Sequence, residues 1–404
     1  MSILVQTEPV RTRPFAQPCL IGGRERELLA EVLESCSWSA CRAGAPGFDI
    51  NALCEMPSAD AAAFDDQEIL YLGGRWVRRL EAMWAARAGV RFAVACNSAT
   101  SGLVMAAGAL GLGPGDEVLV PCMSFVASAT CVMPFGCTPV FVEVEPDTFC
   151  IDAEDAARKI TPRTKAIIAV HLGGSVADLD ALRALGLPII EDCAQAPGAT
   201  WRGREVGSIG DVGVYSLTES KSITCGEGGV VVTNDANVAR RARLIRNHGE
   251  NVSDEGVVGM NFRLTDLQAA LAVAQLEQLD ARNRVRAENV RRLSEGLPRC
   301  LTPQAVERDA TPAWFVFMMR YAADAGMPSR DELVGMLAAE GIPLAGGYSR
   351  LLDAIPLFAR KRAPGTCPRS EALNRELLWF SFINPPNDSR DMDDVLTAIR
   401  KVLR

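Results

Sequence analysis

The chain has 404 residues, 48% of them hydrophobic and 23% charged, with a net charge of −8. These are ordinary proportions for a soluble globular protein, and the length points to a large domain with a smaller companion. The acidic balance argues against nucleic acid or an anionic membrane as the main partner, so an anionic ligand has to be met by local features.

Residues 1–21 read as an extended arm, because Pro9, Pro14 and Pro18 prevent a helix and leave little packing surface. The arm has no basic region followed by an apolar core, and no apolar run in the chain approaches a membrane span, which predicts a cytoplasmic protein. Arg24–Ser35 has helical spacing, residues 41–68 form an irregular insertion of long loop or short helices, and Trp76–Arg87 is helical again. From Phe92 short apolar strands alternate with helices: strands at Phe92–Cys96, Glu117–Val120, Val140–Val144, Lys165–Val170 and Pro188–Glu191, helices at Thr100–Leu110, Ala127–Met133, Asp152–Lys159 and Asp178–Leu185. This alternation predicts an α/β fold with a mostly parallel sheet between helices.

Val212–Leu217 and Gly229–Val232 are strands separated by a loop too short for a crossover helix, so one of them is expected to run antiparallel. Val238–Asn247 and Thr265–Gly296 read as helices, the second with an apolar stripe (Leu267, Ala270, Leu271, Ala274, Leu276, Leu279) that suits core or a dimer surface. Composition shifts at Pro298 and Pro303, which divides the chain into the arm 1–21, a large domain 22–297 and a small α+β domain 298–404. The thirteen cysteines lack any CxxC pairing and read as reduced thiols, and with only His171 and His248 no metal site is expected.

In an open α/β sheet ligands bind beyond the carboxyl ends of the strands, and four clusters fall there. Asn97-Ser98-Ala99-Thr100-Ser101 opens a helix whose free N–H groups can cradle a phosphate. Phe125 follows the second strand, placed to pack in the core or to lie over a flat ring. Glu191-Asp192 ends another strand, where a buried Asp needs a cationic partner. Lys221 stands in the glycine-punctuated loop Ser216–Gly229, where partial desolvation frees its amine as a nucleophile toward an aldehyde. A cradle, an aromatic, an acid for a ring nitrogen and a lysine together describe a pyridoxal 5′-phosphate site.

The ordered motifs Asn97–Leu103, Gly113–Pro121, Pro139–Val144, Ile190–Ala196, Ser216–Lys221, Cys225–Gly229 and Asn261–Asp266 resemble the DegT/DnrJ/StrS family of sugar aminotransferases, fold-type-I pyridoxal-phosphate enzymes, closely over about residues 70–300. The resemblance implies a large domain with a seven-stranded sheet, a smaller C-terminal domain and a homodimer with shared sites. Lys221 would be the Schiff-base lysine and Asp192 the partner of the pyridinium nitrogen. Phe125 would stack on the ring, Gln195 would sit near its phenolic oxygen, and Ala99, Thr100, Ser101 and Ser216 would hold its phosphate. Asn261 and Arg263 match a segment reaching the neighbouring subunit's phosphate. The implied reaction carries an amino group from L-glutamate or L-glutamine to a nucleotide-linked keto-sugar or a keto-cyclitol, in amino-sugar, aminoglycoside-type or surface-polysaccharide biosynthesis. A sugar dehydratase of the same family would have histidine in place of Lys221, and a non-catalytic regulator would not need the intact set. The sequence departs from the family at Pro197, where many relatives have His, at Gly173-Gly174, which suggest a roomier or altered substrate side, and in the longer 41–68 segment.

Overall fold

The computed structural model describes residues 8–17, 21–39, 50–64, 71–249, 257–359 and 367–404. Short runs of β-branched and small apolar residues form β1 (Phe92–Cys96), β2 (Glu117–Pro121), β3 (Thr138–Val142), β4 (Thr164–Val170) and β5 (Ile189–Asp192). A small hairpin, β6 (Thr200–Trp201) and β7 (Arg204–Glu205), precedes β8 (Val212–Ser216) and β9 (Gly229–Thr233). Seven of these strands make one sheet in the order β1-β9-β8-β5-β4-β2-β3. β9 is antiparallel to both its neighbours, while the pairs among β2, β3, β4, β5 and β8 are parallel. The carboxyl ends of β1, β2, β3, β4, β5 and β8 therefore share one edge with the start of β9. Burial on both faces explains why β1, β2, β5, β8 and β9 are buried at every position.

Five helices precede or follow β1: α1 (Gly23–Ser35), α2 (Ile50–Cys54), α3 (Ser58–Ala61), α4 (Arg75–Ala88) and α5 (Ala99–Ala109). Within the expected irregular segment 41–68, α2 and α3 are the described portion; residues 41–49 and 65–68 lie outside the described residues. Arg243, fully buried, pins this excursion by donating to the carbonyls of Leu53, Cys54 and Met56.

Two expectations are corrected. The single helix over 265–296 is two, Asp266–Glu277 and Leu279–Gly296, with Gln278 between them. The side chains of Gln275 and Gln278 both donate to the carboxylate of Glu25 on α1, at 2.7 and 2.9 Å, and this polar knot occupies the turn where helical repeat alone predicts continuity. Ala270, Ala274, Leu276 and Leu279 of the stripe are core, and Leu267 and Leu271 are half-buried against it. The N-terminal arm also packs far more than its prolines suggest. Phe15 is buried against Phe380 and Phe382, and Arg11 lies over the Phe15 ring while pairing with Asp391 and Asp394. Proline keeps such a segment extended, and extension is what lets alternate side chains reach another surface.

Beyond the large sheet, β10 (Leu301–Pro303), β11 (Ala310–Thr311), β12 (Phe317–Tyr321), β13 (Ala345–Gly346) and β14 (Leu377–Phe380) complete the strands. β11 joins the β6–β7 hairpin, and the other four form a small antiparallel sheet in the order β10-β12-β14-β13. Its apolar side builds a second hydrophobic cluster with the helix Ser389–Val402, to which Phe15, Val290 and Leu293 also belong. Among the described residues no helix is long and apolar enough to cross a membrane.

Candidate active site

At the sheet edge where six strands end, Asp192 closes β5 and Ser216 closes β8, with Lys221 in the loop beyond. The loop Leu217–Gly228 is shaped by its own backbone: Leu217 N–H donates to Gly228, Lys221 N–H to Thr218 and Cys225 N–H to Leu217. Lys221 is thereby turned inward. Its Nζ lies 4.4 Å from the centre of the Phe315 ring. Burial pushes its amine below the usual lysine range, and the Asp192 carboxylate pulls the other way. A surface lysine shows neither effect.

Asp192 is buried, and both carboxylate oxygens are engaged: Ser128 Oγ donates to Oδ2 at 2.8 Å and Ala194 N–H to Oδ1 at 3.1 Å. Ser128 in turn shares a 2.8 Å hydrogen bond with Ser124. The cationic partner expected for Asp192 is Lys221, acting through space rather than in a contact ion pair.

The N-terminus of α5 faces the same edge. Ser98 caps it by accepting from Ser101 N–H, which leaves the amides of Ala99 and Thr100 directed outward. Gly229 pairs with Cys96 on one side and Ser216 on the other. A Cβ there would lie 2.7 Å from Ala99 N and from the Ser98 carbonyl, so only glycine lets β9 start against this helix end. Thr100 is exposed, whereas Ser101 and Ser216 are buried. Phe125 is 65% exposed, which removes the core reading and leaves its ring free at the end of β2. Gln195 is half-buried with Oε1 accepting from Gly173 N–H at 2.7 Å. Asn261 is exposed and Arg263 half-buried, donating to Asn247; their segment meets Asn97 through Phe262 O and Asn261 O, one residue from the cap of α5.

The doubt over two adjacent buried carboxylates resolves through Glu191. It is completely buried and accepts from the N–H groups of Gly207, Ile209 and Gly210 and from His171 Nε2. His171 Nδ1 accepts from Ala177 N–H, which fixes the neutral tautomer and commits both ring nitrogens to structure. Burial raises the Glu191 carboxyl, but the His171 and backbone donors outweigh it and hold it below the usual range. Its contribution to stability is therefore complete above the ordinary value of 4.5 and is lost as pH falls through the lowered one. Glu191→Ala strands three backbone donors and an imidazole, and we expect it to cost roughly 3–5 kcal/mol in urea denaturation. A loss below about 1 kcal/mol would mean that water replaces the carboxylate.

Gly173-Gly174, expected to leave a roomier or altered substrate side, do not leave open space. Both glycines are buried with left-handed φ (70° and 90°), and a Cβ on Gly174 would lie 2.6 Å from the backbone nitrogens of Trp314 and Phe315. The space is filled by the 313–316 segment, hydrogen-bonded through Ala313 N–H to Gly174 O and Phe315 N–H to Gly173 O.

Four site residues escape sequence reasoning. Ser128 lies on the short helix Ala127–Thr130 and meets the hydroxyl of Ser124, which precedes that helix, so no sequence periodicity pairs them. Arg286, buried, donates to the carbonyl of Ser222 beside the lysine at 2.9 Å and to side-chain oxygens of Asn283 and Asn384. Burial, then Arg282, lowers its guanidinium to about 9. Tyr348 stands near Gln195 and Asp192, its phenol raised by burial and by the Asp192 charge despite the Gln195 hydrogen bond. Phe315 reads only as a residue of the strand Trp314–Tyr321.

Comparison with known proteins agrees with this geometry. The profile of the DegT/DnrJ/EryC1/StrS aminotransferase family matches residues 55–400. The chain is 37% identical to L-glutamine:2-deoxy-scyllo-inosose aminotransferase of Streptoalloteichus tenebrarius, covering 86% of this chain and 93% of that protein. It is 40% identical to GDP-perosamine synthase of Caulobacter vibrioides, over 67% and 75% of the two chains. Among solved structures it is similar to DesV of S. venezuelae, with a TM-score of 0.79, 33% identity and 93% of each chain covered.

Proposed function

The chain belongs to the DegT/DnrJ/EryC1/StrS aminotransferase family, and from that premise we propose that it binds pyridoxal 5′-phosphate and transfers the amino group of L-glutamine to a keto-cyclitol. The observation that carries the reading is a half-buried lysine amine at the strand ends, charge-coupled to a buried aspartate. The Gly229 cradle against the α5 amides, closed to any Cβ, fits a phosphate, and the open Phe125 ring fits a flat partner. Five curated relatives with 35–40% identity carry the name L-glutamine:2-deoxy-scyllo-inosose aminotransferase, which favours a cyclitol ketone over a nucleotide-linked sugar.

When bound, the cofactor supplies an electron sink for charge developing at the amine-bearing carbon. Lys221 Nζ would hold the cofactor's aldehyde, and its amine would take a proton from that carbon of the donor and return one to the carbonyl carbon of the acceptor. Asp192, fixed by Ser128 and Ala194, keeps a ring nitrogen protonated so that it can draw charge. Ala99, Thr100, Ser101 and Ser216 would hold the phosphate, with Phe125 and Gln195 the candidates to contact the ring. Asn261 and Arg263 serve the neighbouring subunit of a homodimer, and the eleven described cysteines, all free thiols, suit a reducing cytoplasm.

The test is a paired half-reaction. L-Glutamine should bleach the visible band of the purified dimer, and a keto-inositol should restore it with release of an aminocyclitol detected by mass spectrometry. Restoration by nucleotide-linked keto-hexoses alone would move the acceptor to the sugar class. A colourless protein, or one sedimenting as a 43.4 kDa monomer with full activity, would overturn the cofactor or the dimer reading respectively.

A further inference from the structure

The mechanism above leaves an aromatic unexplained. Phe315 comes from a part of the chain almost a hundred residues beyond Lys221, yet its ring is the group against the lysine nitrogen, at 4.4 Å to the centroid. Three backbone features bring it there. Gly173 and Gly174 both take left-handed φ; a Cβ on Gly174 would strike the backbone nitrogens of Trp314 and Phe315, and one on Gly173 would meet the side chains of Met318 and Gln304. Trp314, immediately before Phe315, is itself left-handed with φ 47°, an unfavourable conformation for a bulky residue that persists only where its surroundings impose it. Two hydrogen bonds, Phe315 N–H to Gly173 O at 2.8 Å and Ala313 N–H to Gly174 O at 2.8 Å, provide the imposition.

We propose that Phe315 is a positioning residue for Lys221: its ring face holds the ammonium form of that side chain inside the cleft, and the Gly173-Gly174 pair is the dock that admits the segment carrying it. A cation over an aromatic face is attracted by the ring quadrupole, more strongly where water is excluded. The lysine is released from its covalent partner in half of every catalytic cycle. Through that interval its charged form faces Asp192, the charged group acting on it among the described residues, and the Phe315 ring. The ring retains the long, flexible chain at the cleft without a contact ion pair, which would have made the proton harder to pass on. This inference rests on Lys221 being the anchor proposed above.

The chain has only five lysines, Lys159, Lys165, Lys221, Lys361 and Lys401, so each can be followed by competitive acetylation with trace acetic anhydride and mass spectrometry. In full-length protein freed of bound aldehyde, the pH midpoint for labelling Lys221 should fall by about half a unit to one unit in Phe315→Leu, as the ammonium loses its ring. Phe315→Tyr should restore the wild-type midpoint. Gly174→Ala, which forces the 314–316 backbone away, should reproduce the shift of Phe315→Leu. Lys159, tied to Asp155 and to the Phe141 carbonyl, reports the fold in the same sample; if Phe315→Leu loosens it, the volume-conserving Phe315→Met decides in its place. A midpoint that stays or rises in the variant that keeps its fold overturns the proposal. Failure of the underlying reading looks different: pyridoxal 5′-phosphate with borohydride would then leave Lys221 of the unaltered protein open to the label.

Discussion

Lys221→Ala is expected to yield a folded, colourless protein whose transamination falls by at least about 10³-fold, the scale of losing a positioned acid–base group. No other described lysine can substitute. Lys159 is bound to Asp155 and the Phe141 carbonyl, Lys165 donates to Pro162 on the surface, and Lys401 pairs with Glu340. Lys361 lies outside the described residues. Stability should move the other way from activity, because alanine removes a half-buried amine whose charged form burial disfavours. The sign can be checked by pH. With the folded amine lowered below 10.5, the unfolded chain binds the extra proton between the two values, so wild-type stability rises with pH across that window. The variant should lack this slope. A visible band and measurable turnover surviving in Lys221→Ala would sink the assignment.

The parts of this molecule legible in the sequence are those encoded locally. Each strand of the large sheet lies within two or three residues of its expectation, because burial on both faces leaves a mostly apolar run whatever surrounds it, whereas the β6–β7 hairpin is not among the expected strands. The placement of Asp192 and Lys221 is readable for the same reason: one ends such a run and the other lies a few residues past one, where an α/β sheet opens. What escaped depends on contacts between distant segments. Nothing within ten residues of Phe315 signals that Gly173-Gly174 will dock it against Lys221, and a pair of glycines reads as space until the backbone that fills the space is known. The break at Gln278 comes from Glu25 on another helix, and Phe15 finds Phe380 from the opposite end of the chain. Arg286 supports the lysine loop from a helix whose periodicity says only that one face is buried.

Asp192→Asn separates chemistry from fold at the second position to which a catalytic role is proposed. The amide is nearly the same size as the carboxylate, and the local donors can adapt to it. Its Oδ1 keeps Ala194 N–H, while its Nδ2 faces Ser128, whose hydroxyl can rotate to accept and pass its own proton to Ser124. Melting should therefore stay within a few degrees of wild type, a change of about 1 kcal/mol or less. Activity should not survive as well. A neutral amide no longer holds a proton on a ring nitrogen, and losing one preorganised electrostatic group of this kind costs about 10²–10³-fold in turnover. A second readout follows from the same charge. Asp192 supports the protonated form of Lys221, so its neutralisation should lower the labelling midpoint of that amine in full-length protein freed of bound aldehyde. If Asp192 served only to hold the end of β5, the amide would unfold the protein and lower activity in parallel, with the lysine midpoint drifting upward as water entered. A stable, slow enzyme with a lowered Lys221 midpoint places the aspartate in the chemistry.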